Sequence, residues 1–156
     1  MVLASFVFMH RMSELVSVQS AGGLLEDIED PDAPEGPDQR DLLPAGVAAF
    51  RISGPLFFAA ADRLDEVLDL TPKRLRVFIL RMRLVPMIDA SGAHALKQFL
   101  ERCRKNGTAV IFSGVQPQPH EVLISQGVAN ADNLLGFAED FDTALDWARQ
   151  AVASQA

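Results

Sequence analysis

Apolar residues after position 45 follow two alternating patterns, short continuous runs and runs at helical spacing. The short runs predict strands over residues 47–52, 56–58, 75–80, 108–112 and 134–137. The helical spacing predicts helices over residues 60–70, 91–105, 117–126 and 139–152. The resulting order is β-β-α-β-α-β-α-β-α, with a hairpin first and β-α units after it. We therefore expect an α/β fold with a mixed sheet of four to five strands, the later ones parallel.

The first 19 residues also show helical spacing, with apolar side chains at Val2, Phe6, Met9, Met12 and Val16. Their uninterrupted apolar part, residues 1–9, is shorter than the roughly 20 residues that a membrane-spanning helix needs. The residues alone leave two interpretations open, an amphipathic helix that docks on the domain or the end of a transmembrane helix. In the second, His10 and Arg11 mark the cytosolic exit, because basic residues are enriched on that side of a membrane.

Residues 20–43 have the composition of a flexible linker. They contain eight acidic residues against the single base Arg40, and so polar a segment buries too little apolar surface to offset its ordering entropy. Its charge of -7 is the whole net charge, since the other residues balance at 13 acidic and 13 basic. We expect the folded domain over residues 44–153 and a tail at 154–156. A nucleic-acid partner is not expected, because it would favour a net basic surface with interleaved aromatic side chains.

The strand predicted at residues 75–80 is followed by an acidic turn, Asp89-Ala90-Ser91-Gly92, where a helix begins. Such strand-to-helix junctions often carry the functional groups of α/β proteins. The simpler interpretation makes Asp89 the N-cap, because its carboxylate can accept free N–H groups of the first turn. The alternative makes Ser91 a phosphorylation switch, since a phosphate there would meet those N–H groups and the helix dipole. We expect a partner-contact turn formed by Asp89, Ala90, Ser91, Gly92 and His94.

The sequence lacks the spacings that catalysis or a bound cofactor would require. Asp89 stands where the first Gly of a Gly-x-Ser-x-Gly elbow would be, and no Gly-rich nucleotide-binding loop is present. His10, His94 and His120 are scattered, and Cys103 is the only cysteine, so neither zinc spacing nor an intrachain disulfide arises. Cys103 falls on the apolar stripe of its helix, where packing is favoured over reactivity. We expect a non-enzymatic protein of a reducing compartment, with no metal and no cofactor.

Basic residues cluster around the predicted central strand, at Lys73, Arg74, Arg76, Arg81 and Arg83. The plain interpretation is a solvated strand edge and loop. The functional alternative is a docking face for an acidic partner, for lipid headgroups or for the acidic linker of the chain itself.

Two stretches resemble a known family, the STAS domains: GPLFFAAA at residues 54–61 and VPMIDASG at residues 85–92. The element order is similar as well, so the resemblance covers residues 44–153. STAS domains occur in anti-sigma-factor antagonists and as C-terminal cytosolic domains of SulP-type (SLC26-like) anion transporters. The Val-Pro before the turn and QPQP at residues 116–119 are similar to the transporter branch. The antagonists tend to carry Asp-Ser-Ser-Gly followed by Leu-Gly, where this chain has Ala90 and then Ala93-His94.

The transporter resemblance implies that residues 1–19 form the end of a transmembrane segment and that the domain lies on the cytoplasmic face of the inner (plasma) membrane. It implies a regulatory and assembly role in the transport of an anion such as sulfate, bicarbonate or a dicarboxylate. The implied partners are the transmembrane domain of the parent transporter, a second copy of the chain, or a soluble regulatory protein. The antagonist resemblance implies the alternative, a free-standing anti-sigma-factor antagonist or stressosome-type scaffold switched by phosphorylation of Ser91.

Overall fold

Parallel strand pairing dominates the sheet of this chain. The computed structural model describes residues 17–20, 43–57, 60–69 and 75–155. Five strands of these residues follow one another across one sheet in chain order. They are β1 (Ser17–Ser20), β2 (Val47–Ser53), β3 (Val77–Leu84), β4 (Ala109–Ser113) and β5 (Leu134–Ala138). β1 pairs antiparallel with β2, and each later strand pairs parallel with the strand before it.

Helices connect the parallel strands or, in the case of the last one, follow β5, and they cover both faces of the sheet. They are α1 (Ala60–Asp69), α2 (Ala90–Lys105), α3 (Pro117–Ser125) and α4 (Phe141–Ser154), with a 3-10 turn at Val128–Asn130 before β5. Apolar residues of α1, α2 and α3 pack on one face, and those of α4 pack on the other. The predicted α/β class, mixed sheet and order β-β-α-β-α-β-α-β-α are confirmed. Within the described ranges, no helix has both the length and the apolar character needed to cross a membrane.

The central strand β3 is buried on both faces, which explains its continuous apolar run. Phe78, Leu80 and Met82 face the core beneath α1 and α2, whereas Val77 and Ile79 face the core beneath α4. Successive side chains of a strand point to opposite faces, so both helical layers depend on this one strand. The strand continues to Leu84, four residues beyond its predicted end.

Phe78 is the centre of the aromatic packing in the larger core. Its ring stacks on Phe50 with centroids 4.7 Å apart and meets Phe99 edge-on at 5.1 Å. All three side chains are buried. These contacts join β2, β3 and α2.

The first strand lies in a stretch for which the sequence predicts a helix. Ser17 lies opposite Ser53 and Ser20 opposite Phe50, so the predicted helix over residues 1–19 is wrong for its last three residues. The last apolar position of its pattern is Val16, and β2 offers N–H and C=O groups along an edge that the following residues pair with. Residues 1–16 and residues 21–42 of the predicted linker lie outside the described residues.

The predicted hairpin between residues 47–52 and 56–58 is also wrong. The chain does not reverse after β2, because Gly54 N–H donates to Leu84 O and Leu56 N–H donates to Met87 O, each at 2.9 Å. Leu56 forms a single parallel bridge with Ile88, and Phe58 lies outside the described residues. The antiparallel pair that opens the fold is β1 with β2 instead.

Replacing Phe78 by Ala should lower the free energy of unfolding by about 3–5 kcal/mol, because the change removes two ring contacts and leaves a cavity in a close-packed core. Urea unfolding followed by circular dichroism measures the loss. Leu135→Ala is the control, since Leu135 is 46 % exposed on β5 and its truncation should cost less than about 0.5 kcal/mol. Equal losses for the two variants would contradict the described core.

Candidate functional site

The predicted contact turn lies at the edge of the sheet where β2, β3, β4 and β5 end, which we call the carboxyl edge. β3 ends at Leu84 and α2 begins at Ala90, so residues 85–89 connect them. Helices α3 and α4 begin at the same edge, after β4 and β5. Ligand and partner sites of open α/β sheets commonly lie at this edge, outside the strand ends.

The main chain of Leu56 holds the connection between β3 and α2 on one side. Its N–H donates to Met87 O at 2.9 Å, and its carbonyl oxygen accepts from Asp89 N–H at 3.5 Å. Leu56 and Ile88 are both buried. The connection therefore continues the direction of β3 and is paired with Leu56 like a short piece of strand.

One glutamine side chain holds this connection on the other side, and a second one holds the end of β3. Gln118 of α3 accepts at Oε1 from Ile88 N–H and donates from Nε2 to Ile88 O, both at 3.0 Å. Gln116, the N-cap residue of α3, donates from Nε2 to Arg83 O at 2.7 Å. An amide side chain has one donor side and one acceptor side, so Gln118 reproduces the pairing of a neighbouring strand.

The site also includes three residues that the sequence pattern does not mark for it, Leu56, Gln116 and Gln118. Leu56 acts through its main chain, which leaves no side-chain signature. The two glutamines lie two residues apart at the start of a helix, and that spacing is the one sequence signal that both bond the main chain between Arg83 and Ile88.

Asp89 caps α2 as predicted. Its backbone is extended, and its Oδ1 accepts from Gly92 N–H at 2.8 Å. Ser91 Oγ donates to Asp89 Oδ2 at 3.4 Å. Asp89, Ala90 and Ser91 are exposed, as is His94 on the next turn of the helix. The Ser91 hydroxyl is thus accessible, but a phosphate there would stand beside the Asp89 carboxylate, which would repel it.

Gly92, the remaining member of the predicted turn, is buried because the first turn of α2 approaches Leu56 very closely. A Cβ built on Gly92 would lie 2.1 Å from Leu56 O and 3.2 Å from a side-chain methyl of Ile88. Gly92 is not among the glycines with positive φ. Space rather than backbone conformation therefore requires glycine here.

The basic residues that the sequence groups around β3 are separated in the structure. Arg76 precedes the strand at its amino end, where its N–H donates to Gly46 O at 2.8 Å, whereas Arg81 and Arg83 lie near the carboxyl end. At about 3.3 Å per residue, the two ends are roughly 20 Å apart. Lys73 and Arg74 lie outside the described residues. Arg76 therefore does not share one patch with Arg81 and Arg83.

The thiol of Cys103 is buried, lies away from this turn and is not poised to react. Burial raises its pKa to about 12, so the thiol stays protonated at neutral pH and packs in the core. Among the residues that the structure describes, no three side chains of His, Cys, Asp or Glu come together in a way that could hold a metal ion.

A cleft of about 480 Å³ lies between α2 and the residues that precede β5. Charged side chains line it, among them Lys97, Glu101, Arg104 and Asp132. Arg104 donates to both oxygens of Glu101, at 2.6 and 3.1 Å, so part of this charge is already paired. No residue of the contact turn lines the cleft.

Replacing Gly92 by Ala should cost about 3 kcal/mol or more of unfolding free energy, because the new Cβ overlaps the Leu56 carbonyl oxygen and the helix must shift. Chemical denaturation measures the loss, and amide chemical shifts of the turn report the displacement. Gly107→Ala is the matched control. Gly107 has φ +72 and open space around it, so its substitution adds only backbone strain of about 1–2 kcal/mol. A smaller loss for Gly92→Ala than for Gly107→Ala would contradict the close approach.

Replacing Gln118 by Met keeps the length of the side chain but removes both hydrogen bonds to Ile88. We expect a loss of about 1–3 kcal/mol, since a buried N–H and a buried C=O lose their partners. Hydrogen exchange at the Ile88 amide should become faster. Gln116→Met serves as the control, because Gln116 bonds Arg83 and should leave Ile88 exchange unchanged. Unaltered exchange at Ile88 in Gln118→Met would show that this side chain does not hold the connection.

Known proteins are similar to this chain over most of its length. The family model described as STAS domain matches residues 43–143, which is more than half of the chain. The chain is also 29 % identical over 131 residues to the Bacillus subtilis protein named "Putative sulfate transporter YvdB". That alignment covers 82 % of this chain and 22 % of the relative, so the chain spans about a fifth of that protein.

Two solved structures are similar over most of their length. The crystal structure of a sulfate transporter family protein from Wolinella succinogenes has a TM-score of 0.67 and 41 % identity, covering 80 % of this chain and 99 % of that one. The SulP transporter STAS domain from Vibrio cholerae has a TM-score of 0.61 and 27 % identity, covering 72 % of this chain and 88 % of that one. The chain therefore belongs to the STAS domain family and is homologous to the STAS domains of SulP transporters.

Proposed function

We propose that this chain is the cytosolic regulatory and assembly domain of a SulP-type anion transporter, acting through protein–protein contact rather than catalysis. The observation that carries the proposal is the 41 % identity to the Wolinella succinogenes sulfate transporter family protein over 99 % of that chain. The 22 % coverage of the Bacillus subtilis relative fits a domain of a longer transporter.

The contact turn has the properties that this role requires. Its main chain is held by Leu56 on one side and by Gln118 on the other, while Ser91 and His94 are exposed. A surface held in this way loses little conformational entropy when it binds. A partner would change transport only by binding one state of the transporter more tightly than another.

The first partner in this proposal is the transmembrane domain of the parent transporter, at the cytoplasmic face of the plasma membrane. Residues 1–16 would be the end of its last membrane segment, leading into β1. A second copy of the chain and a soluble regulatory protein are further partners for the same turn. The membrane part would select the anion, whether sulfate, bicarbonate or a dicarboxylate.

Fractionation of native cells and photocrosslinking test this proposal. The chain should remain with the membranes after a high-salt wash and be released by detergent. Ser91→Cys, labelled with a benzophenone maleimide, should crosslink to the membrane part of the same polypeptide. Labelling should be specific, because Cys103 is buried with a raised thiol pKa. Gln150→Cys is the control, since Gln150 is exposed on α4 far along the helix from the carboxyl edge and should give no such product.

The accessible Ser91 hydroxyl favours a second candidate, the free-standing anti-sigma-factor antagonist or stressosome-type scaffold. In that case the native chain would appear in the soluble fraction and carry phosphate on Ser91 after incubation with a partner kinase and ATP. Ser91→Asp would then weaken the complex with the partner. These results together would overturn the transporter proposal.

A further inference from the structure

Apolar side chains are exposed where β3 ends and the connection to α2 begins. Leu84 is 38 % exposed and Met87 is 50 % exposed, and Pro86 between them is exposed as well. Val85 and Ile88 of the same stretch are buried, so these residues anchor the stretch in the core while their neighbours face outward. We call Leu84, Pro86 and Met87 the apolar tip.

Hydrogen bonds hold the main chain of the apolar tip. Leu56 N–H donates to Met87 O at 2.9 Å. Val85 N–H donates to Met82 O at 3.0 Å and closes a turn at the end of the strand. Because the backbone is already ordered, the exposed side chains lose little conformational entropy when they meet a partner.

The chain enters the sheet beside the apolar tip. Ser17, the first residue of β1, lies opposite Ser53, and Ser53 lies opposite Leu84 on the far side. Neighbouring strands are about 4.8 Å apart, so Ser17 and Leu84 are separated by roughly 10 Å. Since β1 runs antiparallel to β2, its first residue is at the carboxyl edge, and the preceding residues join the sheet there.

The sequence before this entry point is apolar. Residues 1–9 contain no charged side chain, and His10 and Arg11 follow them. In the proposed function, residues 1–16 are the end of a membrane segment, which places the apolar tip beside the point where the chain leaves the membrane. A tether of this kind keeps the tip at an effective concentration of about millimolar near the bilayer, so a weak contact is sufficient.

The charges of the carboxyl edge do not favour an anionic partner. Exposed acidic residues there are Asp89, Glu139, Asp140 and Asp142. Arg83 and the half-buried Arg81, near the end of β3, do not outweigh them. Attraction to an anionic surface requires a cluster of basic residues, so the apolar side chains themselves must supply the contact.

The small size of the apolar tip favours lipid over protein. Three partly exposed side chains offer far less than the roughly 800 Å² per partner that a stable protein interface buries. Insertion into the interfacial layer of a bilayer needs only apolar groups held at its surface, and a fluid layer needs no complementary shape.

We propose that the apolar tip inserts into the interfacial layer of the lipid bilayer, beside the point where the chain leaves the membrane. Its side chains would reach a depth of about 5–10 Å, as interfacial helices do. The contact turns the carboxyl edge of the domain toward the bilayer. This inference rests on the proposed function, because the residues before β1 must lead into a membrane.

Fluorescence from a dye at the tip tests the contact in phosphatidylcholine vesicles. Met87→Cys is labelled in the full chain with an environment-sensitive nitrobenzoxadiazole dye, and Leu135→Cys is the matched control, since Leu135 on β5 is 46 % exposed. The buried Cys103 should not react. The emission of the dye at position 87 should move to shorter wavelength, and brominated lipid should quench it several-fold more strongly than the dye at position 135.

A charge placed at the tip tests its contribution to binding. Met87→Asp should raise the lipid concentration needed for half-maximal binding about fivefold, because it removes an apolar group and puts a carboxylate in the interface. Leu135→Asp should leave that concentration unchanged. Raising the salt to 1 M should change the binding of the unmodified chain less than about twofold, because the contact is apolar and needs no long-range attraction.

Several results would overturn the lipid contact. They are a chain that does not bind the vesicles, binding to anionic vesicles alone, a dye at position 87 that stays in water on bound chains, and equal insertion at positions 87 and 135. Photocrosslinks from position 87 of the native protein to its membrane part rather than to lipid would overturn it in favour of a protein contact.

Failure of this inference and failure of the proposed function are distinguishable. A native chain found in the soluble fraction would contradict the transporter assignment, whatever the vesicles show. A native chain that stays with the membranes while the dye at position 87 remains in water would contradict the lipid contact alone.

Discussion

The carbonyl oxygen of Leu56 sets the position of the first turn of α2, because no side chain can stand between them. A Cβ at Gly92 would lie 2.1 Å from that oxygen, so the helix approaches as closely as a glycine allows. The same Leu56 main chain bonds Met87 and Asp89. Main-chain contact therefore determines the position of α2 and the direction of the contact turn. The exposed side chains of the turn are not needed for either.

The central strand β3 connects the position of α2 to the rest of the fold, because helices pack on both of its faces. β3 is buried on both faces and carries the core of α1 and α2 on one side and that of α4 on the other. Its parallel neighbours all run in the same direction, so helices start at one edge of the sheet and end at the other. The carboxyl edge consequently holds the starts of α2, α3 and α4 together with the contact turn, and the opposite edge holds the helix ends.

The geometry of the turn bears on the choice between a contact surface and a covalent switch. The carboxylate of Asp89 accepts hydrogen bonds from the N–H of Gly92 and from the hydroxyl of Ser91. A phosphate on Ser91 would face this carboxylate and lose that hydrogen bond, although it would gain the positive end of the helix dipole. In the unmodified turn Asp89 is bonded to Gly92 and Ser91, and Gln118 holds the main chain of Ile88, so the turn keeps its shape without a phosphate.

The sequence alone was sufficient to predict the strands β3 and β4, the helix α2 with its Asp89 cap, and the family. Apolar periodicity and capping depend on residues that are near one another in the chain, so a local pattern reveals them. It was insufficient for β1, since Ser17–Ser20 has a pattern too short to predict a strand and pairs only because β2 offers an edge. The need for glycine at position 92 and the hydrogen bonds of Gln118 to Ile88 likewise appear only in the tertiary structure. Each depends on residues that meet across thirty or more positions of sequence, and local pattern carries no information about such contacts.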